Sequence, residues 1–223
     1  MNATTGTRLP AAERRLAIVE AALRVFSEGS YAGATTAHIA REAGVSEPIL
    51  YRHFASKREL YFACLDEAWR RIRDRIEAEI EARGAVDGWK SIGPATMREM
   101  KVLLPSLWMQ AITEAGEDVE IRRFVRAHMR AVHDFFADVL RRVQADGGVH
   151  PDRSPEAEAW IFIAGSLLAT VADRLGGLLG PADFESIKHE RLRWLSGGEP
   201  LVPPEPPPPT SSAELCGVAP RGE

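Results

Sequence analysis

The sequence predicts an all-α protein of about nine helices. Apolar residues recur at three- and four-residue spacing along most of the chain, and the alternation expected of strands is nearly absent. Proline and glycine fall where helices start and stop. With 223 residues, 45% hydrophobic and 27% charged, the chain has ordinary globular composition and enough apolar mass for a core.

The elements follow in order. A first helix spans Ala11–Glu28, with Leu16, Val19, Leu23 and Phe26 on one face and Gly29 as its stop. Two short helices follow at Thr36–Ala43 and Glu47–His53. A fourth begins at Ser56, where Ser56-x-x-Glu59 has the form of a capping box, and runs to about Ala82 on Leu65, Trp69, Ile72, Ile76 and Ile80. Gly84 and Gly88 mark a break. Five further pieces are expected at Trp89–Leu104, Pro105–Glu114, Asp118–Ala145, Pro155–Arg174 and Pro181–Leu195. The expected organisation is a polar, disordered N-terminus (1–10), a three-helix domain (11–55), a larger bundle (56–195, with 56–83 as connecting helix) and a Pro-rich disordered tail (196–223). The tail reads as solvated chain or as a polyproline II ligand.

Composition excludes several classes. Only Cys64 and Cys216 occur, far apart, so neither a disulfide framework nor zinc spacing can be built, which suits a reducing, cytoplasmic setting. His128 and His133 are five residues apart, off the spacing that puts two metal ligands on one helix face. No signal peptide is expected, and the longest apolar stretch, Trp160–Ala172, is shorter than the ~20 residues that span a bilayer. Paired-carboxylate, phosphate-loop and nucleophile-elbow motifs are not found, so neither an enzyme nor a cofactor is expected. The net charge is −4, but residues 8–60 hold eight Lys/Arg against six Glu, a mild local surplus of positive charge.

The informative segment is TTAHIAREAGVSEPILYRHFASKREL, from Thr35. Thr35 can cap the second helix, Gly44 can take the left-handed turn, and Ser46 can cap the third. Val45 and Leu50 bracket that cap as a hydrophobic staple. Pro48 is tolerated in the first turn. Two short helices joined by a tight glycine turn make a helix-turn-helix, or else a plain αα-corner touching no nucleic acid. Tyr51, Arg52 and His53 on the exposed face suit phosphates and base edges, and Lys57 stands beside the free N–H groups of the fourth helix.

From Leu16 to Trp69 the chain resembles the tetracycline-repressor (TetR) family of bacterial regulators. The resemblance rests on T-x-x-x-I-A-x-x-A-G-V-S (Thr35, Ile39-Ala40, Ala43-Gly44-Val45-Ser46), L-Y-x-H-F (Leu50-Tyr51, His53-Phe54) and S-K-x-x-L (Ser56-Lys57, Leu60), in order and without gaps. It implies that Thr35, Thr36, Ser46, Tyr51, His53 and Lys57 contact the DNA backbone, and that Glu47, Pro48 and Arg52 set sequence preference. Ala37 departs from members that read a base with arginine there. Glu47 either accepts from a cytosine amine or merely favours the helix dipole.

Beyond Trp69 the resemblance rests on helix order and implies a ligand-sensing, dimerising bundle. Candidate pocket residues are Trp89, Met97, Met100, Leu104, Leu107, Trp108, Ile112, Phe124, His128 and Phe162. Small residues such as Ala157, Ala164, Gly165 and Ala169 allow close helix approach, so the homodimer is expected through 155–195. The function this implies is a repressor bound to palindromic operator DNA and released by a small, largely apolar effector. The alternatives are a ligand-independent DNA-binding or partner-binding helical protein, with an all-α enzyme least favoured.

Overall fold

The computed structural model describes residues 10–91 and 94–198, with side chains omitted for 94–103. Among these, all regular structure is helical: α1 (Ala11–Glu28), α2 (Thr36–Glu42), α3 (Glu47–His53), α4 (Lys57–Arg83), α5 (Ala85–Ser91), α6 (Pro94–Glu114), α7 (Val119–Ala145), α8 (Pro155–Arg174) and α9 (Pro181–Leu195). The N-terminal tract 1–9 and the Pro-rich tail 199–223 lie outside the described residues.

Local chemistry sets most of the ends. Ser56 accepts from the Glu59 N–H, Asp118 from those of Glu120 and Ile121, and Ser154 from that of Ala157. Each cap satisfies donors that a helix start leaves without a partner. Pro155 and Pro181 occupy first helical positions, where a missing N–H costs nothing. Gly84 ends α4 with φ +80°.

Two expectations for the middle of the chain are corrected. Pro105 is not a boundary: it lies inside α6, which runs unbroken to Glu114. A proline within a helix costs about 3 kcal/mol. However, Leu104, Leu107, Trp108 and Ala111 lie on one buried face across it. Burying each large side chain contributes roughly 1.5–3 kcal/mol, so continuity wins. Gly88 is not a break either. It lies within α5, where a Cβ would stand 2.7 Å from Ile80 Cα and 2.9 Å from the Glu79 carbonyl oxygen. The glycine lets α5 fold back directly against the backbone of α4.

One continuous core joins both halves. α1 contributes Ile18, Val19, Ala22, Leu23 and Phe26, whereas Leu16 is exposed. α4 supplies Leu60, Tyr61, Leu65, Ile72 and Ile76 over its 27 residues, about 40 Å of helix. α7 packs Ile121, Val132, Phe136 and Leu140 against α6 and α8. The fully buried Tyr61 is the aromatic centre of the junction, edge-on to Phe26 and Tyr31 at 4.8 Å each. Its hydroxyl donates to the Leu107 carbonyl of α6 at 2.7 Å. Burial pushes its pKa well up, so it stays a neutral donor. Cys64, also buried, gives its thiol to the Val19 carbonyl.

α9 is held differently. Only Leu195 of this helix is buried. Polar contacts tie it down: Trp194 Nε1 donates to buried Glu158 of α8 at 3.0 Å, Arg191 pairs with the same carboxylate, and Arg153 lies 3.5 Å over the Trp194 ring.

Gly88→Ala should push α5 off α4, since the obstruction is backbone that cannot rotate aside. A loss of about 1–3 kcal/mol is expected in chemical denaturation, and an unchanged midpoint would contradict the close approach.

Candidate nucleic-acid interface

The α2–α3 unit is built by caps and one obligatory glycine. Thr35 has extended backbone and its hydroxyl accepts from the His38 N–H at 3.2 Å. At the other end of α2, Gly44 adopts φ +66°, with nothing within 4 Å of where a Cβ would lie. The backbone torsion, and not lack of space, requires glycine. Its N–H reaches the Arg41 carbonyl (3.1 Å) and the Val45 N–H reaches that of Ala40 (2.9 Å), a Schellman closure. Val45 packs on the core beside the buried Leu50, as a staple requires.

Ser46 departs from expectation. It occupies the N-cap of α3 with extended backbone, yet its hydroxyl makes no capping bond. The next positions explain this. Pro48 has no N–H to give, and the Ile49 N–H goes to the Ser46 carbonyl at 2.9 Å. The hydroxyl is thereby left on the exposed surface, next to exposed Pro48, Tyr51 and Arg52, with His53 half-buried.

Thr36, Glu47 and Tyr51 come together across the angle between the helices. The Thr36 hydroxyl donates to Glu47 Oε1 at 2.5 Å and lies 3.1 Å from the Tyr51 hydroxyl. Lys57 is also engaged. Its ammonium donates to the carbonyls of Tyr31 (2.9 Å) and Ala34 (3.2 Å) and sits 4.5 Å from the Tyr31 ring centroid. Two of its three donors thus fasten the α1–α2 loop, fixing the chain just before Thr35. Nothing in the sequence alone signals that partner, because 23 residues separate Lys57 from Ala34.

The expected pocket residues do not form one site. Leu104, Trp108 and Phe162 line a partly open apolar cavity of about 30 Å³ with Trp69, Val132 and Phe136. That is room for about one water. Trp89 packs on Phe162 at 5.4 Å but faces a second groove beside α9. Leu107 is fully buried, and Phe124 stacks flat on Phe62 at 3.9 Å. Ile112 is exposed and lines a surface groove of about 300 Å³ with Trp160 and Met129. The side chains of Met97 and Met100 lie outside the described residues.

His128 is part of a buried network. Its Nδ1 accepts from Trp108 Nε1 at 3.1 Å, so the proton sits on Nε2, 3.2 Å from the Leu65 carbonyl of α4. Burial lowers its pKa to about 4. His133 points elsewhere, joining α7 to the Glu156 carbonyl at the start of α8 at 3.0 Å. Among the described residues no cluster of three or more His, Cys, Asp or Glu could hold a metal, and no helix is long and apolar enough to cross a membrane.

Two short helices set at an angle by a left-handed glycine, with hydroxyls and a guanidinium on their shared outer face, define a helix-turn-helix protein. Residues 18–64 match the family model for bacterial regulatory proteins of the tetR family. Over 60 residues the chain is 52% identical to the HTH-type transcriptional activator FasR of Mycolicibacterium smegmatis, covering 27% of each protein. It is 29% identical over 133 residues to the HTH-type transcriptional regulator BetI of Agrobacterium fabrum, covering 58% of this chain and 65% of BetI. The chain thus spans about a quarter and just under two thirds of these two relatives. The fold is shared with a putative TetR-family regulator from Rhodococcus sp., with TM-score 0.70, 20% identity, and coverage of 83% of this chain and all of that one. The similarity to the tetR family thus lies in residues 18–64, from α1 through the helix-turn-helix to the start of α4.

The His128 network makes stability pH-dependent. A histidine whose pKa falls from an unfolded value near 6.5 to about 4 binds fewer protons when folded, so stability is lost as pH falls through that window. The shift corresponds to roughly 3 kcal/mol. Denaturation of wild type and His128→Gln from pH 7 to pH 4 should show a flatter pH dependence for the variant; parallel profiles would mean that His128 is not held neutral.

Proposed function

We propose that this protein is a homodimeric, sequence-specific DNA-binding regulator, a repressor acting on operator DNA in the cytoplasm. The observation that carries this reading is the outer face of α2 and α3. Ser46, Tyr51 and Arg52 are exposed side by side on a helix short enough to enter a major groove, and Ser46 has no capping role to occupy it. Arg52 is suited to a base edge or phosphate, while Thr35 and His53 flank the same surface. Lys57 contributes mainly by fixing the loop before α2, with one donor left for phosphate.

Residues 11–55 then serve as the DNA-binding domain and 56–195 as the effector and dimerisation domain. The exposed side of α8 supports a two-fold dimer: Ala157, Ile161, Ala164, Gly165, Leu168 and Leu175 form an apolar stripe without a charged residue. Exposed Ile187 and Leu192 of α9, a helix that buries little in its own protomer, extend that surface. The cavity beside Trp108 is lined by aromatic and aliphatic groups with Ser166 as its polar residue, which favours a small, largely apolar effector. At about 30 Å³ it must widen to admit one. Its walls belong to α4, α6, α7 and α8, so an effector that binds the widened form better would displace α4 and respace the two DNA-binding heads.

Binding to DNA upstream of its own gene should be sequence-specific and fall steeply with salt. Arg52→Ala should weaken it by roughly 1–3 kcal/mol without changing the melting temperature; equal affinity for unrelated DNA would refute the regulator reading. Leu168→Glu should convert the dimer to monomer in sedimentation and lower operator affinity by about tenfold or more, since one half-site is lost. A dimer that survives this change would place the interface elsewhere.

A further inference from the structure

We propose that Glu47 reads a cytosine in each operator half-site, and that Thr36 and Tyr51 are the positioning residues that aim it. This rests on the DNA-binding reading above and adds the identity of a base.

Proton bookkeeping gives the hydrogen bonds a direction. A carboxylate only accepts, so the single Thr36 hydroxyl proton goes to Glu47 Oε1, 2.5 Å away. At the 3.1 Å contact with Tyr51 the threonine oxygen must therefore accept, and the phenol donates. The chain runs Tyr51 to Thr36 to Glu47, each donation strengthening the next. Neither hydroxyl proton is then free for phosphate, which separates Thr36 and Tyr51 from the backbone-contact role that the family resemblance implies.

The arrangement also argues against Glu47 serving only the α3 helix dipole. In that role its carboxylate would turn back to the first-turn N–H groups. Pro48 has none, and that of Ile49 is already bonded to the Ser46 carbonyl. Glu47 instead reaches across to α2, 11 residues back, which fixes its rotamer. Among the described residues Oε2 has no hydrogen-bond partner, and the half-buried Glu47 stands on the same short helix as exposed Tyr51 and Arg52. A carboxylate acceptor held by a side-chain hydrogen bond is suited to reading a base edge.

Major-groove chemistry selects the base. Guanine presents N7 and O6 acceptors and thymine an O4 acceptor, all of which repel a carboxylate. Adenine offers its N6 amine beside the N7 acceptor. Cytosine offers the N4 amine with no acceptor of its own at the groove edge, so it is the base a carboxylate accepts from with least opposition.

The test is selection of binding sites from a random double-stranded DNA pool by the full-length protein, wild type against Glu47→Gln, Thr36→Val and Tyr51→Phe, with melting temperatures confirming that each variant folds. Wild type should select cytosine at one position per half-site. Glu47→Gln should move that preference toward adenine, whose N6 and N7 suit an amide, and bind the wild-type site roughly tenfold less tightly. Thr36→Val and Tyr51→Phe should blur the same position and leave the others intact; a phosphate anchor would weaken all sequences alike and reduce the salt slope. An unchanged motif for Glu47→Gln, or tighter binding to every sequence with unchanged preference, would overturn the assignment. A wild-type protein that selects no motif would overturn the DNA-binding reading itself.

Discussion

The first two turns of α4 hold the molecule together. Lys57 takes the loop carbonyls ahead of α2, Arg58 pairs at 2.9 Å with Asp118, the cap of α7, and Tyr61 donates into α6. These residues bind forward into the body and backward into the head within five positions. Asp118 is held below the ordinary carboxylate range by Arg58 first and then by the N–H of Ile121. Gln110 of α6 completes the seam by donating to the Phe26 carbonyl near the end of α1 at 2.9 Å. The tilt of the helix-turn-helix relative to the bundle follows from these contacts.

That seam is made of directional bonds set in apolar packing. The buried Tyr61–Leu107 bond is costly to leave unmade, so movement of α6 must break it or carry α4 along. The His128 network lies on the same route. Trp108 forms part of the cavity wall and donates to His128, which in turn engages the Leu65 carbonyl of α4. The cavity thus meets α4 twice, directly through Trp69 and Ile72 and through the Trp108–His128–Leu65 hydrogen bonds.

The charge balance of the surface is subtler than composition implies. The chain is net acidic, and even its helix-turn-helix carries Glu47. Lys57, the only lysine in the first 60 residues of the sequence, is largely committed to holding a loop. Hydroxyls, Arg52 and the oriented Glu47 dominate the outer face, an arrangement better suited to discriminating among sequences than to gripping any phosphate backbone.

Local signals carried much of this structure. The periods of α1 and α4, the caps at Thr35 and Ser56, and the left-handed Gly44 depend on near neighbours, and the residues themselves announce them. What only the tertiary structure decided involves partners distant in sequence. Pro105 stays inside a helix because its flanking side chains share one buried face. Gly88 is required by the backbone of α4, and the capping role expected of Ser46 is absent. Lys57 is claimed by carbonyls more than twenty residues away. The eight expected pocket residues whose side chains are described scatter between a small cavity, solid core and surface grooves, because helical periodicity identifies an apolar face but not what it meets. The all-α fold and its helix-turn-helix were thus written locally, whereas the aim of Glu47 and the size of the cavity depend on how the helices cross.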